Sequence, residues 1–490
     1  MAARGAVVLA TLLAWACQPT PQEESAGPQC FGKCDSPAKR ASWVVAEIND
    51  HNAGLSDDLR AGKYEKMAES AHAFFRGTNH LYWADLADDK RVEDFGGKST
   101  RIWLQGDVHA CNFGSFNNDD GTIVYDLNDH DEGVVADYKL DLWRLATSLV
   151  LVIDENNAKA KAAAGEADAG EVIDSDGRSA ALDALCESYL SALDGYRGND
   201  LEKARIFTQG ETSGMLADFL AKVAQKKTRA KMLSKWTKVV DGQRVLLDAA
   251  DYAASGEEAE LESVDAKLAQ AIQAAMKGYL ATLSSGKWAT GYFDLKSVRR
   301  RLGAGTGSYG APRYYLLIEG ETTSLDDDRI LDVKLQGAPS AYPYLASGLR
   351  AITDKAAQTD GQVNHALRAI RAAKALGVHV DDHLGWMKLP EGLFSARELS
   401  PAKDDVDPAD LDTVALVKAF ATTWGTILAT AHARADNDHD SQVIGSSFEK
   451  QVGDATQDKH EAFCKQVRQV AVGYALQVSA DYSAFLASLE

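Results

Sequence analysis

The chain has 490 residues, enough for two or three ordinary domains, and its 45% apolar and 25% charged content with only 10 Pro excludes a disordered or collagen-like polymer. Its 72 Asp and Glu against 52 Lys and Arg give a formal net charge of −20. A field of that sign repels phosphate backbones and anionic lipid, so no nucleic-acid partner is expected, and an anionic substrate needs a locally basic or metal-filled pocket.

Met1-Ala-Ala-Arg4 followed by the apolar run Ala6 to Ala16 has the charge-then-apolar order of a secretory signal. The run is too short to anchor in a bilayer and no later run reaches about eighteen apolar residues, so no membrane-spanning helix is expected in the mature protein. Leu13-Ala-Trp-Ala-Cys17 resembles a bacterial lipobox. That resemblance implies cleavage ahead of Cys17, a lipid on it as the only membrane contact, and a place at the cell envelope. Six cysteines occur, at 17, 30, 34, 111, 186 and 464. In an oxidising compartment Cys30 and Cys34 predict a local disulfide, and no His or further Cys clusters with them to make a zinc site. Residues 18–42, rich in Pro, Gln, Glu, Ser and Gly, read as a flexible tether, with folded structure beginning near Trp43.

Val44 to Lys66 reads as helix, and His72 to Gly77 leads into an apolar stretch through Leu86. Two β-like runs, Ile102 to Gln105 and Thr122 to Leu127, flank a polar loop, and Asp141 to Ile153 returns to helical spacing, so that 43–154 forms the first structured part. Residues 155–290 read as a helical region, with helices around Ala181 to Leu193, Met215 to Val223 and Leu261 to Leu283. In 291–400 the pattern predicts strands at Val298 to Leu302, Arg313 to Glu319, Ile330 to Leu335 and Leu393 to Leu399, with a helix from Gly361 to Leu376. The last part, 401–490, holds a long amphipathic helix marked by Val414, Val417, Phe420, Trp424, Ile427, Leu428 and Ala431. The expected class is α+β.

Two segments carry chemistry. In Gly106-Asp-Val-His-Ala-Cys-Asn112, an Asp followed five residues later by Asn between short strands can aim the Asp107 carboxylate at a substrate hydroxyl while the Asn112 amide oxygen binds Mg²⁺. Behind the next strand, Asp126-Leu-Asn-Asp129-His-Asp131-Glu132 is dense enough to supply a second metal ligand, although turns rich in Asp and Asn are also common without one. The second segment is Gly303-Ala-Gly305-Thr-Gly307-Ser308-Tyr-Gly310, a G-x-G-x-x-G that leads into a strand rather than a helix. A Gly-rich hairpin tip over phosphates, followed by a strand bearing a Lys, is the protein-kinase arrangement. Lys334 supplies that Lys, because alternation puts Leu331, Val333 and Leu335 on the opposite face. An ordinary kinase-like chain runs Gly loop, Lys, then catalytic Asp and Asn. Here the Asp and Asn come some two hundred residues before the Gly loop, which predicts a circularly permuted, two-lobed fold with a helical insertion.

His72-Ala-Phe-Phe-Arg-Gly77, Gly106-Asp-Val-His109 with Asn112-Phe-Gly114, Tyr125-Asp-Leu-Asn-Asp129 and Asp141-Leu-Trp-Arg-Leu-Ala-Thr-Ser148 resemble the bacterial family catalogued as domain of unknown function 2252. A more distant resemblance, to aminoglycoside and choline kinase-type phosphotransferases, rests on Gly106-Asp107, Asn112, a following metal Asp and Asp141. In those enzymes about a dozen residues separate the metal Asp from a structural Asp, which implies Asp129 as the ligand ahead of Asp126 or Asp131. The resemblance implies a Mg²⁺-dependent phosphotransferase with Asp107 as base, Asn112 and Asp129 as metal ligands, and Lys334 on the phosphates of ATP or another donor. Gly305, Gly307, Ser308 and Gly310 would form the lid, with Arg76 as an anion contact. The helix after Lys334 has no Glu to pair with it, and Gln362 is the expected substitute. The acceptor, a small molecule or a protein hydroxyl, is not specified. A catalytically silent binding module of the same fold and a dinuclear metallophosphoesterase suggested by Gly106-Asp-Val-His109 are the alternatives.

Overall fold

The structure, a computed structural model, describes residues 31–33, 36–165, 171–284, 288–305 and 307–490. The signal run, Cys17 and the Cys30–Cys34 pair lie outside those residues. Mixed α and β structure with several small sheets is observed.

The larger hydrophobic core surrounds the helix Lys139–Ala164, whose first fifteen residues are all buried. Leu140, Leu142, Trp143, Leu145 and Leu149 point to every side of it, so this helix is apolar all round and must sit inside rather than on a surface. The helix Val414–Arg434 packs along Ser175–Tyr196, and His460–Ala487 packs on both Lys139–Ala164 and Ser175–Tyr196. Gly425 permits the first of these contacts: a Cβ there would lie 2.3 Å from the carbonyl oxygen of Leu185. Although Val414–Arg434 is apolar enough to cross a bilayer, its Phe420, Trp424, Ile427 and Leu428 are buried in this core. A Cys186–Cys464 disulfide ties Ser175–Tyr196 to His460–Ala487 across 278 residues.

The second body is a six-stranded antiparallel sheet in the order Gly385–Leu389, Gly392–Glu398, Arg329–Leu335, Arg313–Ile318, Leu295–Arg301 and Leu261–Ser263. Strand alternation divides it cleanly. Tyr314, Leu316, Leu331, Val333, Phe394 and Ala396 form one face, covered by Ile272, Met276 and Tyr279 of the helix Ala266–Leu280. On the other face Tyr315, Leu317 and Ile330 meet Trp236 and Leu246, while Lys334, Asp332 and Arg397 line a cleft toward the larger core.

Several expectations are corrected. The first helix begins at Pro37, ahead of Trp43, and Phe31 is already buried. Val44 to Lys66 is two helices, Pro37–His51 and Asp57–Met67, because Gly54 and the Ser56 N-cap break the run. Leu261 to Leu283 is a strand, Leu261–Ser263, then a helix capped by Asp265. The region 155–290 also contains a hairpin, Thr237–Val240 with Gln243–Leu246. The helix expected from Gly361 starts at His365, after a short hairpin that holds Gln362 exposed.

Candidate functional site

The segment 105–132 is folded by a buried network centred on Asp141, at the start of Lys139–Ala164. The Asp141 carboxylate accepts the backbone N–H of Gln105 at 2.7 Å and of Gly106 at 3.0 Å. His432, near the end of Val414–Arg434, lies 3.3 Å from the same carboxylate and 2.7 Å from the Tyr189 hydroxyl. The loop carrying Asp107 is therefore fixed from below by two long helices. Gly106 has φ +84°, and a Cβ there would meet the Glu132 carbonyl at 2.2 Å, so only glycine allows the turn.

Asp107 projects into the cleft from this turn. Its carboxylate accepts from Arg144 Nε at 2.7 Å, and its backbone N–H donates to Gln105 Oε1 at 2.7 Å. Burial pushes the Asp107 carboxyl up to about 7, against the pull of the Arg144 guanidinium. The Asn112 side-chain nitrogen donates to the Asp107 carbonyl at 2.9 Å, which leaves the amide oxygen as the free acceptor. Asp129 accepts the Asp131 N–H at 3.1 Å. Burial opposes its ionisation, yet the Lys334 and Arg397 charges hold its carboxyl well below the usual range.

The opposite wall is the sheet. Lys334 pairs with Asp131, whose other oxygen accepts from Gln336 at 2.7 Å. Asp131 thus takes the place expected for Gln362, which is exposed elsewhere. Arg313 makes a two-pronged pair with Asp332, 2.6 Å from its Nε, and Arg397 donates to the Asn128 carbonyl at 2.9 Å.

The Gly-rich loop spans the two walls and is held by the helix Asp57–Met67. Lys63 donates to the Gly307 carbonyl at 3.1 Å and Lys66 to the Gly303 carbonyl at 3.0 Å. Tyr309 lies under Lys66 and over Gly62, where a Cβ would be 2.7 Å from its hydroxyl. Gly305 and Ser308 line the cleft and Gly307 its inner end, whereas Gly310 turns outward against Leu55 and Leu59.

Three spaces result. A main cavity of about 430 Å³ is lined by Arg76, Asn112, Asp129, Lys334 and Arg397 among others. An inner pocket of about 120 Å³ holds Asp107, His109 and Glu132 beneath Gly305 to Ser308. An apolar pocket of about 120 Å³ adjoins the main cavity, lined by Val124, Leu127, Leu376, Val380, Leu384 and Leu399. The Arg76 guanidinium lines both polar spaces, and among the described residues its Nε has no hydrogen-bond partner. Asp107, Asn112, Asp129, Arg76, Lys334, Gly305, Gly307 and Ser308 thus share one cleft, and Gly310 stands apart. Asp126 faces the apolar pocket beside Arg434, 3.6 Å away.

The free Asn112 oxygen with the ionised Asp129 is the oxygen-only donor set that Mg²⁺ takes, its other positions being left to water and phosphate. Among the described residues, groups of three converging acidic or His ligands lie at Asp381, His383 and Glu398 beside the apolar pocket, at Asp200, Glu202 and Asp438, and at Glu319, Asp327 and Asp328. Sequence reading missed Arg144, Glu132, Arg313, Arg397 and Lys403. Two of them carried a signal: Arg144 is three residues after Asp141 on one helix face, and Arg397 faces with Lys334 through strand pairing.

No curated protein and no solved structure matches the chain. A family model described as an uncharacterized protein conserved in bacteria, DUF2252, matches residues 56–488, and it is to this family that the chain belongs.

Proposed function

We propose that the protein is a Mg²⁺-dependent phosphotransferase of permuted kinase-like architecture, exported from a bacterial cell. The observation that carries this reading is that the Asn112 amide nitrogen is committed to the Asp107 carbonyl, which leaves the amide oxygen free in the cleft that Asp129 also lines. Asp107 then accepts the proton of an acceptor hydroxyl as its oxygen attacks the terminal donor phosphorus, and the leaving phosphate oxygen takes the electron pair of the broken P–O bond. Lys334, transferred from Asp131, steadies the donor phosphates, and Asn112 and Asp129 hold the metal. When bound, that Mg²⁺ neutralises charge on the phosphates. The adjoining apolar pocket is of a size for a nucleotide base, which makes ATP the first donor to test. The Cys186–Cys464 disulfide supports export, since such bonds persist in oxidising compartments.

A second reading, a silent binding module, is favoured by one observation: Asp107 and Lys334 both already have charged partners, Arg144 and Asp131. Calorimetric titration of ATP into the purified protein with and without Mg²⁺, followed by assay of phosphate transfer, tests both. Metal-dependent binding with turnover supports the enzyme, and metal-dependent binding without turnover on any acceptor supports the module. Binding that ignores Mg²⁺ and Asp129→Asn removes both.

A further inference from the structure

The neck where the main cavity opens into the apolar pocket carries more positive charge than the reaction requires. Arg397 and Lys403 line both spaces there, and Arg313 stands beside them in the main cavity. The carboxylates around these three are Asp332, which Arg313 holds through two hydrogen bonds, Asp129, whose ionised form Arg397 favours, and Asp405, whose ionised form Lys403 favours. Among the described residues neither Arg397 nor Lys403 has an ion-pair partner, and the bond from Arg397 goes to a neutral carbonyl of Asn128. In a chain with 72 acidic against 52 basic residues, a cavity that gathers Arg76, Arg313, Lys334, Arg397 and Lys403, the last two with no carboxylate in ion-pair contact, is an exception that needs a reason. Like charges gathered at a cavity neck repel, and the cost is offset when an anion binds between them. Arg397 is also anchored for that task, its strand paired with Arg329–Leu335 so that it lies opposite Asp332 and two positions from Ser395, which faces Lys334.

We propose that Arg397 and Lys403 form a second phosphate subsite, adjoining the one at Lys334 and Asp129 in the main cavity. Its ligand is a phosphate group at the far end of the donor, reached either as a further unit of a condensed phosphate chain or as a phosphate carried on a nucleotide sugar. The proposal rests on the phosphotransferase reading for the direction in which the donor lies. Arg supplies planar, multiple donors to phosphate oxygens and Lys a mobile point charge, a pairing suited to a terminal phosphate.

The test uses the full chain and three probes: inorganic tripolyphosphate, adenosine 3′,5′-bisphosphate and adenosine, each titrated with and without Mg²⁺. Lys403→Gln, a change on an exposed side chain, and Arg397→Gln are each expected to weaken one of the two phosphate probes at least tenfold and to leave adenosine unaffected. Loss confined to tripolyphosphate assigns a condensed chain, and loss confined to the bisphosphate assigns a sugar phosphate. Unchanged affinity for both in Lys403→Gln, or a wild-type chain that binds neither, overturns the subsite. If Mg²⁺ and Asp129→Asn alter no affinity while Lys403→Gln does, the subsite stands and the phosphotransferase reading falls.

Discussion

On the helical wall of the cleft, each functional group is fixed by buried bonds from several elements: Asp107 by Gln105, Asn112 and Arg144, and its whole turn by Asp141 with His432 behind it. On the sheet wall Lys334 is held by Asp131 from across the cleft, and the Gly-rich loop by two lysine-to-carbonyl bonds. The first wall cannot move without unpairing buried groups, whereas the second can exchange its partners for ligand phosphates at little cost. If the proposed phosphotransferase reading holds, the rigid wall carries the base and the metal ligands and the adjustable wall receives the donor, the division that transfer between two bound molecules needs.

The sharpest way to break this comparison is at Asp107. Asp107→Asn keeps the shape of the rigid wall and removes the proton acceptor, so turnover should fall roughly 10²–10⁴-fold with Mg²⁺-ATP affinity within about twofold of the parent, measured by steady-state kinetics and calorimetry. Comparable losses of rate and affinity would mean that Asp107 shapes the fold rather than accepts a proton. Next in size, Asp141→Ala should cost about 3–5 kcal/mol in urea unfolding, because the Gln105 and Gly106 N–H groups and His432 lose their buried acceptor. Lys334→Met on the opposite wall should cost about 1–3 kcal/mol, since the partly exposed Asp131 keeps Gln336 and rehydrates while the buried Asp129 loses one of its two counter-charges and keeps Arg397. Equal losses on the two walls would erase the distinction.

A third prediction concerns what stiffens the helical wall from outside. Replacing both Cys186 and Cys464 by Ser should lower stability by about 2–4 kcal/mol, read as a shift of the urea midpoint without loss of metal-dependent binding. The last prediction, of opposite sign, concerns Lys63, which fastens the loop. Burial pushes its ammonium down to about 8 from 10.5, so the folded state binds the proton more weakly than the unfolded chain. Stability should therefore rise as pH increases from about 8 to 10.5, and Lys63→Met should flatten that rise and stabilise the protein by about 1–3 kcal/mol at pH 7. The same substitution should raise the KM for the donor a few-fold by freeing Gly307. A Lys63→Met chain that is less stable at pH 7 would show that the lysine strengthens the body rather than the lid.

Much of the cleft is legible in the sequence because its chemistry is local. Asp107 and Asn112 are five apart on one turn, and the alternation around Lys334 shows in the residues beside it. Hidden features depend on distant partners. The pairing of Lys334 with Asp131 spans 203 residues, and the Cys186–Cys464 bond spans 278. No local pattern distinguishes Asp131 from its neighbours, and six cysteines do not reveal their connectivity. The misread strand Leu261–Ser263 has a different cause: at three residues it is too short to show a period of two, and the helix that follows imposes its own spacing. Gln362 stands away from Lys334 because the helix begins at His365, after its Asn364 cap, and leaves Gln362 in the preceding hairpin.

The clasp at Arg40 sets where the chain tolerates cleavage. Its guanidinium joins Asp85 and Asp481 with contacts of 2.6 Å, and Tyr474 and Gln477 complete the cluster around Asp85. Lys33 and Lys39 are exposed nearby, each a site for a trypsin-like protease. A cut after Lys33 leaves Arg40 within its helix, so the clasp on Asp85 and Asp481 stays closed. A cut after Lys39 makes Arg40 a chain end and strips the first turn that orients it, leaving two buried carboxylates to face each other without a counter-charge. Six residues therefore separate a cut that spares the clasp from one that opens it.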